Sequence, residues 1–118
     1  MIGTLLLATA ASAPLESWPG LGLAEGRCRP GSPEIIVDAL GLKDRKGRLR
    51  LELYPANDRD FLADDNKLIA AGKVFARVDV PVPQAGPVRL CIRAPAPGAY
   101  TLSLLHDRDS NHKFGLSS

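Results

Sequence analysis

Gly47-Arg48-Leu49-Arg50-Leu51-Glu52-Leu53-Tyr54 alternates without a break: Leu49, Leu51 and Leu53 fall on one side, and Arg48, Arg50, Glu52 and Tyr54 on the other. A two-residue period marks a β-strand with one face on a core and one in solvent. Pro55 stops it. Before it, Lys43-Asp44-Arg45-Lys46-Gly47 reads as a hairpin turn, with Gly47 available for a left-handed conformation.

The same pattern recurs outward from this stretch. Glu34 to Leu40 is a short apolar run between Pro33 and Gly41, the form of a buried strand. Lys73 to Val80 alternates, with Val74, Ala76, Val78 and Val80 on one face. Gly86-Pro87 begins another strand with Val88, Leu90 and Ile92 inward. Pro95-Ala96-Pro97-Gly98 turns the chain into Tyr100, Leu102 and Leu104, which line one face up to His106. Pro81 and Pro83 suit a sheet edge. Residues 56–72 are the longest irregular piece. An Asn or Asp cap within Asn57–Asp65 predicts one helical turn there.

Five short strands separated by Pro and Gly turns, with no long helix, predict an all-β chain forming a single antiparallel β-sandwich. The 118 residues suffice for one domain with a working core. A net charge of +2, with both signs interspersed, argues against an electrostatic nucleic-acid binder.

Residues 1–13 are uncharged and apolar or small, like the hydrophobic part of a signal peptide or leader. The run is far short of the roughly 20 residues that span a bilayer, so no stable membrane span is expected. Residues 14–32 form a lead-in carrying Trp18, expected to staple onto the sandwich, and residues 33–118 form the sandwich domain. Cys28 and Cys91 fit an exported protein and one disulfide. Cys91 points away from Leu90 and Ile92, alongside Arg89 and Arg93, which favours a bond to the N-terminal segment. Closing a loop of about 60 residues contributes roughly 4 kcal/mol in the chain-entropy account. The address implied is periplasmic or secreted.

Gly47–Tyr54, the Pro97-Gly98-Ala99-Tyr100 turn and His106-Asp107-Arg108-Asp109-Ser110-Asn111 stand in an order and spacing that resembles the bacterial exported family known as domain of unknown function 2141. The resemblance covers most of residues 33–115. It implies a prealbumin-like (transthyretin-like, immunoglobulin-like) sandwich without an established activity, and one more strand after the His-Asp motif. Since Ser118 comes before that segment, the expectation is a sandwich lacking its last strand, with an unpaired edge open to a protein partner or to self-association.

One site candidate stands out. Asp107, Asp109 and Asn111 occupy positions one, three and five of a loop, where oxygens turn inward around a hard cation, and the Lys113 carbonyl is a fourth donor. His112 stands where relatives carry Gly, and Ser118 where a bidentate Glu would complete the shell, so any calcium affinity is expected to be weak. The alternative is an Asx-rich turn bonded to its own backbone. A zinc site using His106 and His112 lacks further ligands. His106 itself reads as a strand-end histidine sealed by a hydrogen bond. The basic set Lys43, Arg45, Lys46, Arg48 and Arg50 and the acidic set Asp58, Asp60, Asp64 and Asp65 read as solvated surface, or as an anionic contact and further cation donors.

Ser103 lacks a nucleophile elbow, and Gly20-Leu21-Gly22 precedes no helix and cradles no phosphate. The chain therefore reads as a non-enzymatic, exported binding or structural module of the bacterial envelope, with calcium as its one cofactor candidate. The competing reading is a hydrolase or metal-dependent enzyme centred on His106, Asp107 and Asp109.

Overall fold

The alternating segments form strands, and the chain runs β1 (Glu34–Asp38), β2 (Arg48–Pro55), α1 (Asp65–Ala70), β3 (Ala76–Pro81), β4 (Arg89–Arg93) and β5 (Tyr100–Asp107). The structure, a computed structural model, describes residues 25–110. The leader over residues 1–13, Trp18, and Asn111, His112, Lys113 and Ser118 lie outside the described residues.

Two antiparallel sheets pack face to face: β1-β4, and β3-β2-β5 with β2 in the middle. The inward leucines are sealed, Leu49, Leu51 and Leu53 being at most 1% exposed. Val78 and Val80 lie across from Leu51 and Leu49 on β3, and Leu90 and Ile92 come from the facing sheet. Fully burying side chains of this size contributes about 1.5–3 kcal/mol each. An antiparallel β-sandwich is what the alternation predicts.

The segment Glu25–Arg27 stitches the two sheets together. Gly26 N–H donates to the Arg77 carbonyl at 2.9 Å, and Arg93 N–H donates to the Gly26 carbonyl at 2.9 Å. Glycine is needed for so close an approach: a Cβ at residue 26 would lie 3.0 Å from Ile92 Cγ1 and 3.1 Å from Ala76 Cβ. One residue further on, Cys28 is joined to Cys91 on β4. The lead-in thus contributes to the sandwich from residue 25 onward.

Three local expectations are corrected. Lys43–Gly47 is not a hairpin turn. β1 pairs with β4 and β2 with β3 and β5, so this turn carries the chain from one sheet to the other. β1 is not buried on both faces but alternates, because only its Ile35 and Val37 face packs on the core while Glu34, Ile36 and Asp38 are exposed. The polar face of β2 is not in solvent either.

The Tyr54 end of that outer face lies under the segment between β2 and β3. α1 is capped by Asp64, whose carboxylate accepts from the N–H groups of Asn66 and Lys67. Tyr54, Leu68 and Phe75 form a second, smaller apolar cluster beneath it, with Phe61 and Phe75 edge-on to Tyr54 at 5.5 and 5.4 Å. Beside the cluster, Tyr54 Oη donates to Glu52 Oε1 at 2.7 Å, and Arg77 Nε to Glu52 Oε2 at 2.7 Å. Arg77 also reaches Asp65 at 3.1 Å. Burial and the neighbouring Glu52 carboxylate push the Tyr54 hydroxyl well above its ordinary range. Further along the sheet, Asp79, 1% exposed, accepts from Arg48 Nε at 2.7 Å and from Arg50 Nε at 3.1 Å. A buried carboxylate persists only when paired in this way.

Removing Asp79 leaves two half-buried guanidinium groups without their carboxylate. We expect Asp79→Ala to lower unfolding stability by about 3–5 kcal/mol, the range for breaking one side of a buried pair. Urea denaturation reads this directly. A loss below about 1 kcal/mol would put the pairs in the class of exposed surface bridges.

Candidate functional site

The sequence directs attention to the end of β5, where the crossing turn meets it. Lys46 N–H donates to Asp44 Oδ1 at 2.9 Å and tightens that turn. Gly47 has φ +74°, and a Cβ there would sit 2.1 Å from the Asp107 carbonyl oxygen. Only glycine permits both the left-handed conformation and the contact. Turn and strand end are therefore pressed together by backbone.

His106 lies opposite Leu49, on the inward face at the end of the sandwich. Its Nε2 is 2.7 Å from the Lys46 carbonyl. A carbonyl only accepts, so Nε2 carries the proton and donates it. This is the sealed strand-end histidine of the sequence reading. Asp44 Oδ1 is 3.9 Å from the same nitrogen, beyond a hydrogen bond. The other oxygen of Asp44 accepts from Arg108, whose Nε lies 2.8 Å away and whose terminal nitrogen also bonds it. The Arg108 hydrogen bonds, helped by the Lys46 N–H, hold the Asp44 carboxyl at about 2.

His106 and Asp107 are not brought to a common point. Asp107 follows His106 on β5, so the two side chains project to opposite faces. Asp107 is buried, whereas Asp109 is exposed. Ser110 N–H donates to the Asp107 carbonyl at 3.3 Å, closing a turn. Asn111 and Lys113, the other two expected cation ligands, lie outside the described residues. Asp44 and Arg108 were not singled out from sequence. The signal was present in Gly47 and in the one cation lying between two acids of the His-Asp motif.

Cys28, Cys91 and Glu34 bring one donor atom each within 4.8 Å of one another. The two sulfurs are bonded to each other, with Cα atoms 5.9 Å apart. Metal binding needs thiolates, so the disulfide form is a staple and not a metal centre.

The charged sets are largely spent on structure. Arg48 and Arg50 hold Asp79, and Arg45 donates to the carbonyls of Pro83 and Gly86 at 3.2 and 3.0 Å. Asp60 pairs with Lys73, Asp64 caps α1 and Asp65 meets Arg77. Two surface hollows among the described residues measure about 490 and 270 Å³. The larger is lined by Asp38–Leu42, Arg45 and Gly86–Arg89, the smaller by residues around Phe75 and Arg93. Neither includes His106, Asp107 or Asp109.

A different feature emerges on the opposite flank. β3 and β4 approach one another, but β1 and β5 do not. The inward residues of those two edge strands, Ile35, Val37, Tyr100 and Leu102, touch the core and remain partly exposed. Leu104 also faces inward, opposite the sealed Leu51, yet is 42% exposed. The sandwich has an open side, bounded by two strand edges that are unpaired among the described residues.

Fold and site together define a disulfide-stapled antiparallel β-sandwich with an open edge. The chain belongs to the family described as an uncharacterised protein conserved in bacteria, DUF2141, which it matches over residues 37–118. Comparison with curated proteins and with solved structures gave no match. Among the described residues no helix is long and apolar enough to cross a membrane.

The Asp44 pair sets a pH test. A carboxyl depressed in the folded state stabilises above its unfolded value, and that contribution is lost as pH falls through the folded value. Here the window runs from 3.8 down to about 2. Asp38 and Asp60 are lowered too, mainly by hydrogen bonds from Arg89 and Lys73, and add to the loss of stability at acid pH. Asp44→Asn should flatten the fall of the melting midpoint across that window relative to wild type. Parallel curves would show that the Arg108 pair adds nothing.

Proposed function

We propose that the protein is an exported, non-enzymatic binding module of the bacterial envelope that receives an extended protein segment along the β5 edge. The observation that carries this is the open side of the sandwich, above all the inward yet 42% exposed Leu104. A strand paired on one side presents every second N–H and C=O outward, ready to bond another chain. Main-chain bonds supply affinity in such strand addition, and pockets for alternate side chains supply selectivity. The half-buried Tyr100 and Leu102 offer that apolar floor.

The disulfide fits an oxidising compartment, and so an exported protein. The non-enzymatic side of the proposal draws on the geometry around His106. Its Nε2 proton is committed to a backbone carbonyl, and the Asp44 carboxylate beside it is committed to Arg108. Calcium at Asp107 and Asp109 enters as a weak stabiliser. Excess calcium should raise the melting midpoint slightly over that in chelator, and identical midpoints would remove calcium from the proposal.

Amide hydrogen exchange on dilute protein tests the binding edge. β2, bonded on both sides, should be protected throughout, while alternate amides of Tyr100–Asp107 exchange at close to solvent rates. Uniform protection along β5 in the dilute protein would sink the proposal.

A further inference from the structure

We infer that the segment received by the β5 edge is the β5 edge of a second copy of this chain, forming one antiparallel sheet in the order β3-β2-β5-β5-β2-β3. This rests on the strand-accepting reading above and names the occupant.

The choice follows from how charge is placed on the two open edges. β1 carries Glu34 and Asp38 at its ends. Two copies of β1 paired antiparallel about Ile36 would set Glu34 opposite Asp38 of the second copy, twice. Like charges directly opposite are destabilising. Natural edge strands use such charges to prevent this pairing. β5 carries its one acid, Asp107, at its last position, and Tyr100-Thr101-Leu102-Ser103-Leu104-Leu105 before it contains neither charge nor proline.

β5 is also complementary to itself. With a two-fold axis through Ser103, perpendicular to the sheet, inward faces stay on the same side in both copies. Leu102 then lies opposite Leu104 of the second copy, twice, and Thr101 opposite Leu105. Tyr100 meets His106 across the axis. No like charges face each other, and the 42% exposed Leu104 gains an apolar neighbour on its open side, in addition to Leu51 of β2. The contact is isologous and closes at two copies. A β1-to-β5 contact would instead run head to tail into open filaments.

Light scattering on a dilution series tests this. At high micromolar concentration the mass should approach twice the 12.6 kDa of the chain, falling to one chain on dilution. Ser103 projects from the outer face opposite Glu52, so Ser103→Lys spares the core. It sets two ammonium groups against each other at the axis and should weaken association about tenfold or more. Ile36→Lys, an outward change on the β1 edge, should leave association unchanged. The near-ultraviolet spectrum of each variant confirms folding.

A dimer that Ser103→Lys leaves intact overturns the assignment to β5. A monomer at every concentration, with alternate β5 amides exchanging fast, overturns the second copy and leaves strand acceptance standing with another protein as occupant. A monomer whose β5 amides are protected at every dilution overturns both. A concentration-dependent gain of β5 protection, lost in Ser103→Lys, supports the proposal.

Discussion

The position of β2 constrains the whole molecule, because it is bonded along both edges, packed on the second sheet by one face and held in ion pairs on the other. Its inward leucines require a second layer, which the β1-β4 sheet provides. Its outward residues are arginines, a glutamate and a tyrosine, which cannot be buried bare. The segment between β2 and β3 covers the Tyr54 end of this face, and opposing charges on β3 satisfy Arg48, Arg50 and Glu52. The irregular region, with its capped single helix, is thus the second cover of that end of the central strand.

Charge also fixes register. Alternation forbids a slip of one residue, which would turn the leucines outward, but it is silent on a slip of two. The observed pairing sets Arg50 against Asp79 and Glu52 against Arg77. Sliding two residues one way would oppose Arg50 to Arg77, and the other way Glu52 to Asp79. Both place like charges across from each other. The ion pairs therefore select one register from those the apolar pattern permits.

The legible parts of the sequence were those governed by local periodicity. Strand positions, the inward sets of β2, β3 and β4, and the Cys28–Cys91 bond follow from alternation and from which face Cys91 occupies. Partner choice between strands is non-local, which is why a turn between β1 and β2 read as a hairpin and is a crossing. The polar face of β2 read as solvated because period alone cannot see a loop folding back over it. The complementary signs of Arg50 and Glu52 with Asp79 and Arg77 were nevertheless visible side by side. At the strand end, sequence proximity suggested that His106, Asp107 and Asp109 converge. Strand alternation separates the first two, and Asp44, remote in sequence, takes up Arg108.

The two flanks of the sandwich differ in how they are held. On one, Gly26 bonds to β3 and β4, Cys28 is tied to Cys91, and Arg93 reaches the Glu25 carbonyl at 2.9 Å. On the other, β1 and β5 stand apart with apolar residues between them and no comparable tie among the described residues. The staple, the Asp79 and Glu52 ion pairs and the Gly26 approach all lie away from the open flank. A segment arriving there can add main-chain bonds without displacing those interactions. Among the described residues the apolar, unpaired edge and the ties that hold the two sheets together thus lie on opposite sides.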